Sequence, residues 1–434
     1  MLLIYCPQIT PRLHYIFKLI FLEILSVEFQ ITNAVEEFKK HAGAKLNYSE
    51  HPIGDELFFY ATHFLFEKGI TDQQITVFEW QGTPVFYATH PKYIFPFDPF
   101  AASFFLVSRY EEYLPHIQDK YERFVPTQSV AYQKNFLQKP LINIWAQKIK
   151  EKIKEKYPQF PFPEKHYKYI SSIDIDSAYA YCEKGFTRTL ASFAKSLFTL
   201  NLNELIEKTK VLAGMQKDPY DTYYVQLTLQ KKYKLHQIYF FLVSDYDVYD
   251  KNIPIDSKRF RALIKFIADY SQVGIHFSYA SNSNTDKLKQ DFNRLSKVLK
   301  REVNKSRQHF LKLSLPLTYR NILDVGITED YTMGYASEIG FRASICTPFY
   351  FYDLDTEMET KLKVFPFALM DGTLREYMKL SAEEAIERAK QLVDEVKKVD
   401  GLFITLWHNH TLNDSKEWKG WLRVYEEIVK YACQ

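Results

Sequence analysis

Tyr169-Ile170-Ser171-Ser172-Ile173-Asp174-Ile175-Asp176-Ser177 reads as a strand that ends in two carboxylates. Side chains alternate along a strand, so Ser172, Asp174 and Asp176 share one face while Ile173 and Ile175 take the other. Two carboxylates side by side repel, and they coexist only with a cation, a shared proton or open water. A pair closing an otherwise apolar strand is a candidate metal or acid–base site. The plainer alternative is a solvated strand end.

At 434 residues the chain predicts two domains. With 46% hydrophobic and 25% charged residues it has the composition of a soluble globular protein. Its 35 Phe and 32 Tyr suit large cores or a carbohydrate-facing cleft. A net charge of +3 gives no electrostatic case for nucleic acid as a partner. Cys6, Cys182, Cys346 and Cys433 are scattered, which points to reduced thiols and away from a disulfide framework or a zinc knuckle. The apolar run Leu13 to Phe29 is broken by Lys18, Glu23 and Glu28, which argues against a membrane span or a signal core. With no basic leader before it, a cytoplasmic location is expected.

Outward from the opening strand, the N-terminal part predicts a strand at Leu2 to Tyr5, a helix-length segment over Leu13 to Phe29, and a hairpin of Ile75 to Trp80 and Thr83 to Tyr87 around Gln81-Gly82. Asp98 is placed to cap a helix that starts at Pro99 and carries Ala101, Phe104, Phe105 and Ser108 on one face. The acidic end of that helix, Glu111-Glu112, reads as a solvated terminus. An amphipathic helix from Pro140 to Tyr157, with Leu141, Ile144, Trp145, Ile149 and Ile153 inward, is broken by the proline-rich 158–163. The domain boundary falls there, giving residues 1–163 and 164–434.

Beyond the boundary, helical stretches at Leu190 to Leu197 and Leu202 to Leu212 precede a buried strand at Gln237 to Val243. Phe260, Leu263, Ile264, Ile267 and Tyr270 mark the next helix, followed by a strand at Val273 to Ser278 and a helix with Leu288, Phe292, Leu295 and Leu299. This rhythm of strand and helix is that of a parallel α/β sheet or barrel. Ser381-Ala382-Glu383-Glu384 is a capping box for a late helix, and Leu402 to Trp407 is a strand delivering His408-Asn409-His410.

In parallel α/β folds the loops at the C-terminal strand ends share one rim. Asp174 and Asp176, His276, Arg307 with His309, and His408 with His410 all fall at or near such ends. Any one of them reads as a structural residue; together, carboxylates and imidazoles make a ligand set for zinc or a similar divalent ion.

The order Asp174-Ile175-Asp176, Gly274-Ile275-His276-Phe277-Ser278, an Arg-bearing strand, and Leu406-Trp407-His408-Asn409-His410 resembles the polysaccharide deacetylases, the family 4 carbohydrate esterases. With the upstream segment from Asp98 to Tyr113, the chain resembles an uncharacterised bacterial subgroup that has an extra N-terminal domain. The resemblance implies a distorted (β/α) barrel of about seven strands, preceded by a smaller α/β domain, and metal-dependent removal of an N-acetyl group from an amino sugar or polysaccharide precursor. It assigns Asp174 as general base, His408 as general acid, with His410 in reserve, and Arg307 as the residue orienting the base, with Arg342 as competitor. Asp176 and His276 become metal ligands.

One position departs from the pattern. A second His is expected four residues after His276, and Ala280 stands there. His309 is the candidate replacement, so that Asp176, His276 and His309 hold the ion, zinc first among the divalent metals. Tyr331 to Tyr335 and Thr347 to Asp353 read as rim segments whose aromatics form a sugar-stacking wall or pack inside, and Asp330 as a carboxylate behind an Arg or His. Two alternatives stay open: a glycan-binding relative that has lost catalysis, suggested by Ala280, and a metal-free glycoside hydrolase using the Asp pair, whose two residues sit about 6.5 to 7 Å apart on one strand.

Overall fold

The computed structural model describes residues 1–434. Its N-terminal part holds a parallel sheet of β1 (Leu2–Tyr5), β2 (Phe29–Thr32), β3 (Lys45–Ser49) and β4 (Leu57–Tyr60), in the order β2-β1-β3-β4. The apolar run after β1 forms a helix over Pro11–Phe17, where the Thr10 hydroxyl accepts from the Leu13 N–H, and continues as a π-helical turn to Ile24. The hairpin is shorter than its sequence pattern, with β5 (Phe78–Trp80) and β6 (Thr83–Val85). Gln81 and Gly82 both have positive φ, 49° and 71°, the turn geometry whose twist suits a two-residue hairpin loop.

Asp98 accepts from the Phe100 and Ala101 N–H groups and starts the helix Pro99–Val107. All nine helical residues are buried, so this helix has no wet face. Its acidic end corrects the expectation of a solvated terminus. Glu112 is buried between two buried guanidiniums, 2.6 Å from Arg342 Nη2 and 2.8 Å from Arg109 Nε. Arg109 also donates to the Arg342 carbonyl and the Tyr335 hydroxyl, so the cluster rivets the N-terminal half to the C-terminal half.

The second sheet has nine strands: β7 (Lys168–Ile175), β8 (His236–Leu242), β9 (Gln272–Phe277), β10 (Lys305–Gln308), β11 (Glu329–Asp330), β12 (Phe349–Asp353), β13 (Met358–Val364), β14 (Leu369–Met370) and β15 (Leu402–His408). The order is β12-β13-β11-β10-β9-β8-β7-β15-β14, with every pair parallel except β12 with β13. The expectation of a barrel of about seven strands is therefore corrected to a nine-stranded sheet whose hydrogen-bonded order is open. The sheet is strongly curled. Residues 365–368 alone separate β13 from β14, and the Phe365 N–H donates to Asp330 while the Ala368 N–H donates to Ile404. Arg307 on β10 also reaches Asp174 on β7, three strands away, which a flat sheet with strands about 4.8 Å apart would place beyond reach.

Inside the curl lies a compact apolar cluster that includes Ile170, Ile238, Phe240, Ile404 and Leu406. Tyr331 is part of it, stacked on Phe365, and Phe349, Phe351 and Tyr352 are likewise buried, so these aromatics pack inside and form no sugar-facing wall. Tyr270 lies beyond the end of the helix Lys258–Ala268 and is exposed, so it drops out of that helix's inward stripe. The capping box at Ser381 and Glu384 is formed as read.

Candidate functional site

Register brings the site together. On adjacent parallel strands His408 of β15 stands opposite Asp174 of β7, and His276 of β9 stands opposite Arg307 of β10. Arg307 is fully buried, and its fork has three acceptors: Nη1 donates to Asp174 Oδ1 at 2.7 Å, Nη2 to Ser172 Oγ at 2.8 Å, and Nε to the Tyr331 carbonyl at 2.9 Å. Only the planar guanidinium can serve all three from one position. Arg342, the competitor, is occupied with Glu112.

His276 Nδ1 lies 3.0 Å from the Arg307 carbonyl. A carbonyl only accepts, so Nδ1 carries a proton and Nε2 is left facing the carboxylates, 3.3 Å from Asp176 Oδ1 and 3.6 Å from Asp174 Oδ2. His309 follows β10 in a short 3₁₀ turn kinked at Phe310, whose φ is 58°. Its Nδ1 is 2.7 Å from Asp250 Oδ1, which turns Nε2 toward Asp176 Oδ2 at 3.7 Å. Asp250 is itself held by the backbone N–H groups of Tyr279 and Ala280. One ligand atom each from Asp176, His276 and His309 lies within 4.8 Å of the others.

The donor set fits a divalent ion. Asp176 Oδ1 is buried and has no hydrogen-bond partner, although it faces an imidazole nitrogen. Two imidazoles, once free of their second protons, and a carboxylate are the ligands zinc takes. The charges respond to one another. Burial would raise the Asp176 carboxyl, but His309, His276 and His408 outweigh it and hold the group well below the usual carboxylate range. Burial would lower His309, and the carboxylates of Asp176 and Asp250 outweigh it, lifting the ring to about 9.

His408 has its own carboxylate, which the sequence reading missed. Its Nδ1 is 2.8 Å from Asp371 Oδ1, while Asp371 Oδ2 accepts from the His408 backbone N–H and the Thr411 hydroxyl. Burial opposes protonation of this ring, but Asp371, Asp176 and Asp174 prevail and raise it to about 10. Asp371 directly follows the short strand β14, an acid at the end of the apolar run Ala-Leu-Met, which is the local signal that marks it. Nothing local marked Asp250. His410 also lines the cavity, beside His408, Tyr220 and Trp418, and burial plus the charge of His408 lower it to about 4. Asp330 accepts from Ser306 and Thr332 and touches neither an Arg nor a His, which corrects its expected place behind one of them.

The cavity over these groups holds about 190 Å³ and is walled by Phe310, Tyr377, Trp418 and Arg123. Arg123 comes from the N-terminal half and donates to the Phe310 carbonyl, so both halves of the chain build the wall.

A model for a family of unknown function (DUF7033) matches residues 2–158. No curated protein sequence matches the chain. Among solved structures, a putative polysaccharide deacetylase from Mycobacterium smegmatis is 12% identical, over 63% of this chain and 86% of that one, with a TM-score of 0.41. A probable polysaccharide deacetylase from Pseudomonas aeruginosa PAO1 is 11% identical over 61% and 84%, with a TM-score of 0.38. PuuE allantoinase is 10% identical over 62% and 83%, also with a TM-score of 0.38. No helix is long and apolar enough to cross a membrane.

Proposed function

We propose that the protein is a metal-dependent hydrolase that removes an N-acetyl group from an amino sugar or a polysaccharide precursor, acting in the cytoplasm, with residues 164–434 as the catalytic unit and 1–163 as an N-terminal domain. The observation that carries this reading is the pairing of two oppositely prepared groups on one rim. Asp174 is gripped by a buried arginine, and His408 Nδ1 is bonded to Asp371, on the rim that carries Asp176, His276 and His309.

Asp176, His276 and His309 would hold a divalent ion, zinc first, which when bound lowers the pKa of water and polarises the amide carbonyl. Asp174, its carboxylate oriented by Arg307, takes the proton of the attacking water. His408 delivers a proton to the departing amine, and Asp371 stabilises the imidazolium until it does so. Acetate and a free amino sugar leave. Phe310 and Tyr377, beside the cavity, offer apolar faces on which a sugar ring can rest.

The test is acetate release from N-acetylated amino sugars and their oligomers by the metal-loaded protein. Release that depends on a divalent ion and falls about 10²- to 10⁴-fold in Asp174→Asn and in His408→Gln supports the assignment. Metal-loaded protein that binds these sugars and releases no acetate favours the glycan-binding alternative.

A further inference from the structure

Between β7 and β8 the chain leaves the sheet as a helical hairpin, Phe186–Phe198 followed by Leu202–Leu212. Both helices are amphipathic, but the apolar face of the first points the wrong way for a helix on a globular core, and the second buries only Val211 of its apolar residues. In the first, Phe186, Leu190, Phe193 and Leu197 recur at helical spacing and form one stripe, yet Ser196 is the helix's only buried residue. The seam between the helices is polar. Lys208, buried, donates to the Ser192 carbonyl and the Ser196 hydroxyl and pairs with Glu204. The tip is apolar, with Phe198 90% and Leu200 83% exposed, and Phe186 is 82% exposed at the base. Single exposed apolar side chains are ordinary, whereas a stripe along one helix that runs into an apolar tip and on to exposed Leu202 and Ile206 marks an interaction surface.

The hairpin is tied to the rim that carries the site. Arg188 donates to the Asn252 carbonyl and lies over the Tyr246 ring, while Tyr181 and Lys416 both reach Glu207. Exposed Tyr246 and Val248 extend the apolar surface toward Tyr249, whose ring packs on Tyr279 and Phe310 beside the cavity.

We propose that this hairpin docks the protein on an anionic lipid bilayer, with Phe186, Phe198, Leu200 and their stripe seated among the headgroups. From 183 to 217 the chain carries six Lys and Arg against three Glu, and with the buried Lys208 and its partner Glu204 set aside five basic residues remain against two acidic ones. A second copy seated on the same face about a twofold axis would bring these like charges together, whereas an anionic surface neutralises them. The first helix, 13 residues and about 20 Å long, is too short to cross a bilayer and has the form of a helix that lies in the interface. This inference uses none of the residues assigned to hydrolysis and stands apart from that reading.

The test is co-sedimentation of the full chain with vesicles of phosphatidylcholine alone and of phosphatidylcholine with phosphatidylglycerol, at low and high salt. The expected result is binding to the anionic vesicles, weakened by salt. A Phe198→Ser/Leu200→Ser variant and a Lys195→Glu/Lys210→Glu variant are each expected to bind about tenfold less or weaker still, with thermal unfolding and metal content unchanged. Equal binding to both vesicle types, no binding to either, or variants that bind like the parent would overturn the proposal. So would lipid-independent dimers that the serine variant abolishes, because the hairpin would then be covered by a second copy.

Discussion

His309 Nδ1 lies 2.7 Å from Oδ1 of Asp250, and that contact aims the ring's other nitrogen at Asp176. Asp250 is anchored by the N–H groups of Tyr279 and Ala280, so the position that lacks the second histidine supports the carboxylate that orients its candidate replacement.

Carboxylates that orient a ligating histidine typically contribute a factor of about 10–100 to metal affinity. Asp250→Ala is therefore expected to weaken zinc binding by about that factor in competition with a chelator, while His276 remains in place. An unchanged affinity would mean that His309 is not a ligand.

A protonated imidazole cannot ligate, and His309 in the metal-free protein holds its proton up to about 9. Metal binding should release that proton. Apparent affinity should then rise by about tenfold per pH unit toward pH 9 and level off above it. Calorimetry in buffers of different ionisation enthalpy counts the proton directly.

The His408 ring is raised to about 10 chiefly by Asp371. If His408 is the general acid, the rate falls as pH rises through its pKa, because the proton to be donated is lost. Asp371→Asn should bring that pKa back toward its ordinary value of about 6.5, moving the alkaline limb down and lowering kcat. A variant with reduced kcat and an unmoved alkaline limb would assign Asp371 a purely structural role.

Glu112 has a folded-state pKa lowered to about 2: burial opposes ionisation, and Arg342 and Arg109 prevail. A folded pKa below the unfolded value makes the contribution to stability complete above about 4.5 and lost as pH falls through about 2. Glu112→Gln leaves two buried guanidiniums without their shared carboxylate. It should cost about 3–5 kcal/mol by urea unfolding at neutral pH and flatten the acid limb of the stability profile.

Much of the site could be read from the chain because it depends on local pattern. The two-residue period of β7 puts Ser172 and Asp174 on one face, and both are found on Arg307. His408 closes an apolar strand and His276 stands next to the end of another, which is a local signature as well. What could not be read depends on pairing across long stretches of sequence. Glu112 meets Arg342 more than two hundred residues away, so an acidic helix end that looks solvated by composition proves to be a buried joint. Asp250 sits in a loop whose Tyr-Asp-Val-Tyr-Asp sequence has no periodicity to interpret. Tyr331 looks like a rim aromatic from its neighbours, but the curl of the sheet turns it inward onto Phe240 and Phe365. The helical stretches at Leu190 to Leu197 and Leu202 to Leu212 are legible locally, but which of their apolar side chains stay uncovered depends on what packs against them.

The hydrolytic reading requires that Asp176, His276 and His309 form one metal centre. Elemental analysis of the purified protein, alongside His276→Ala and His309→Ala, tests it most directly. The expected result is about one equivalent of zinc or another divalent ion per chain, lost in both variants with the fold retained by circular dichroism. Parent protein that takes up no metal after incubation with zinc, or a His309→Ala variant that keeps its full complement, would contradict it.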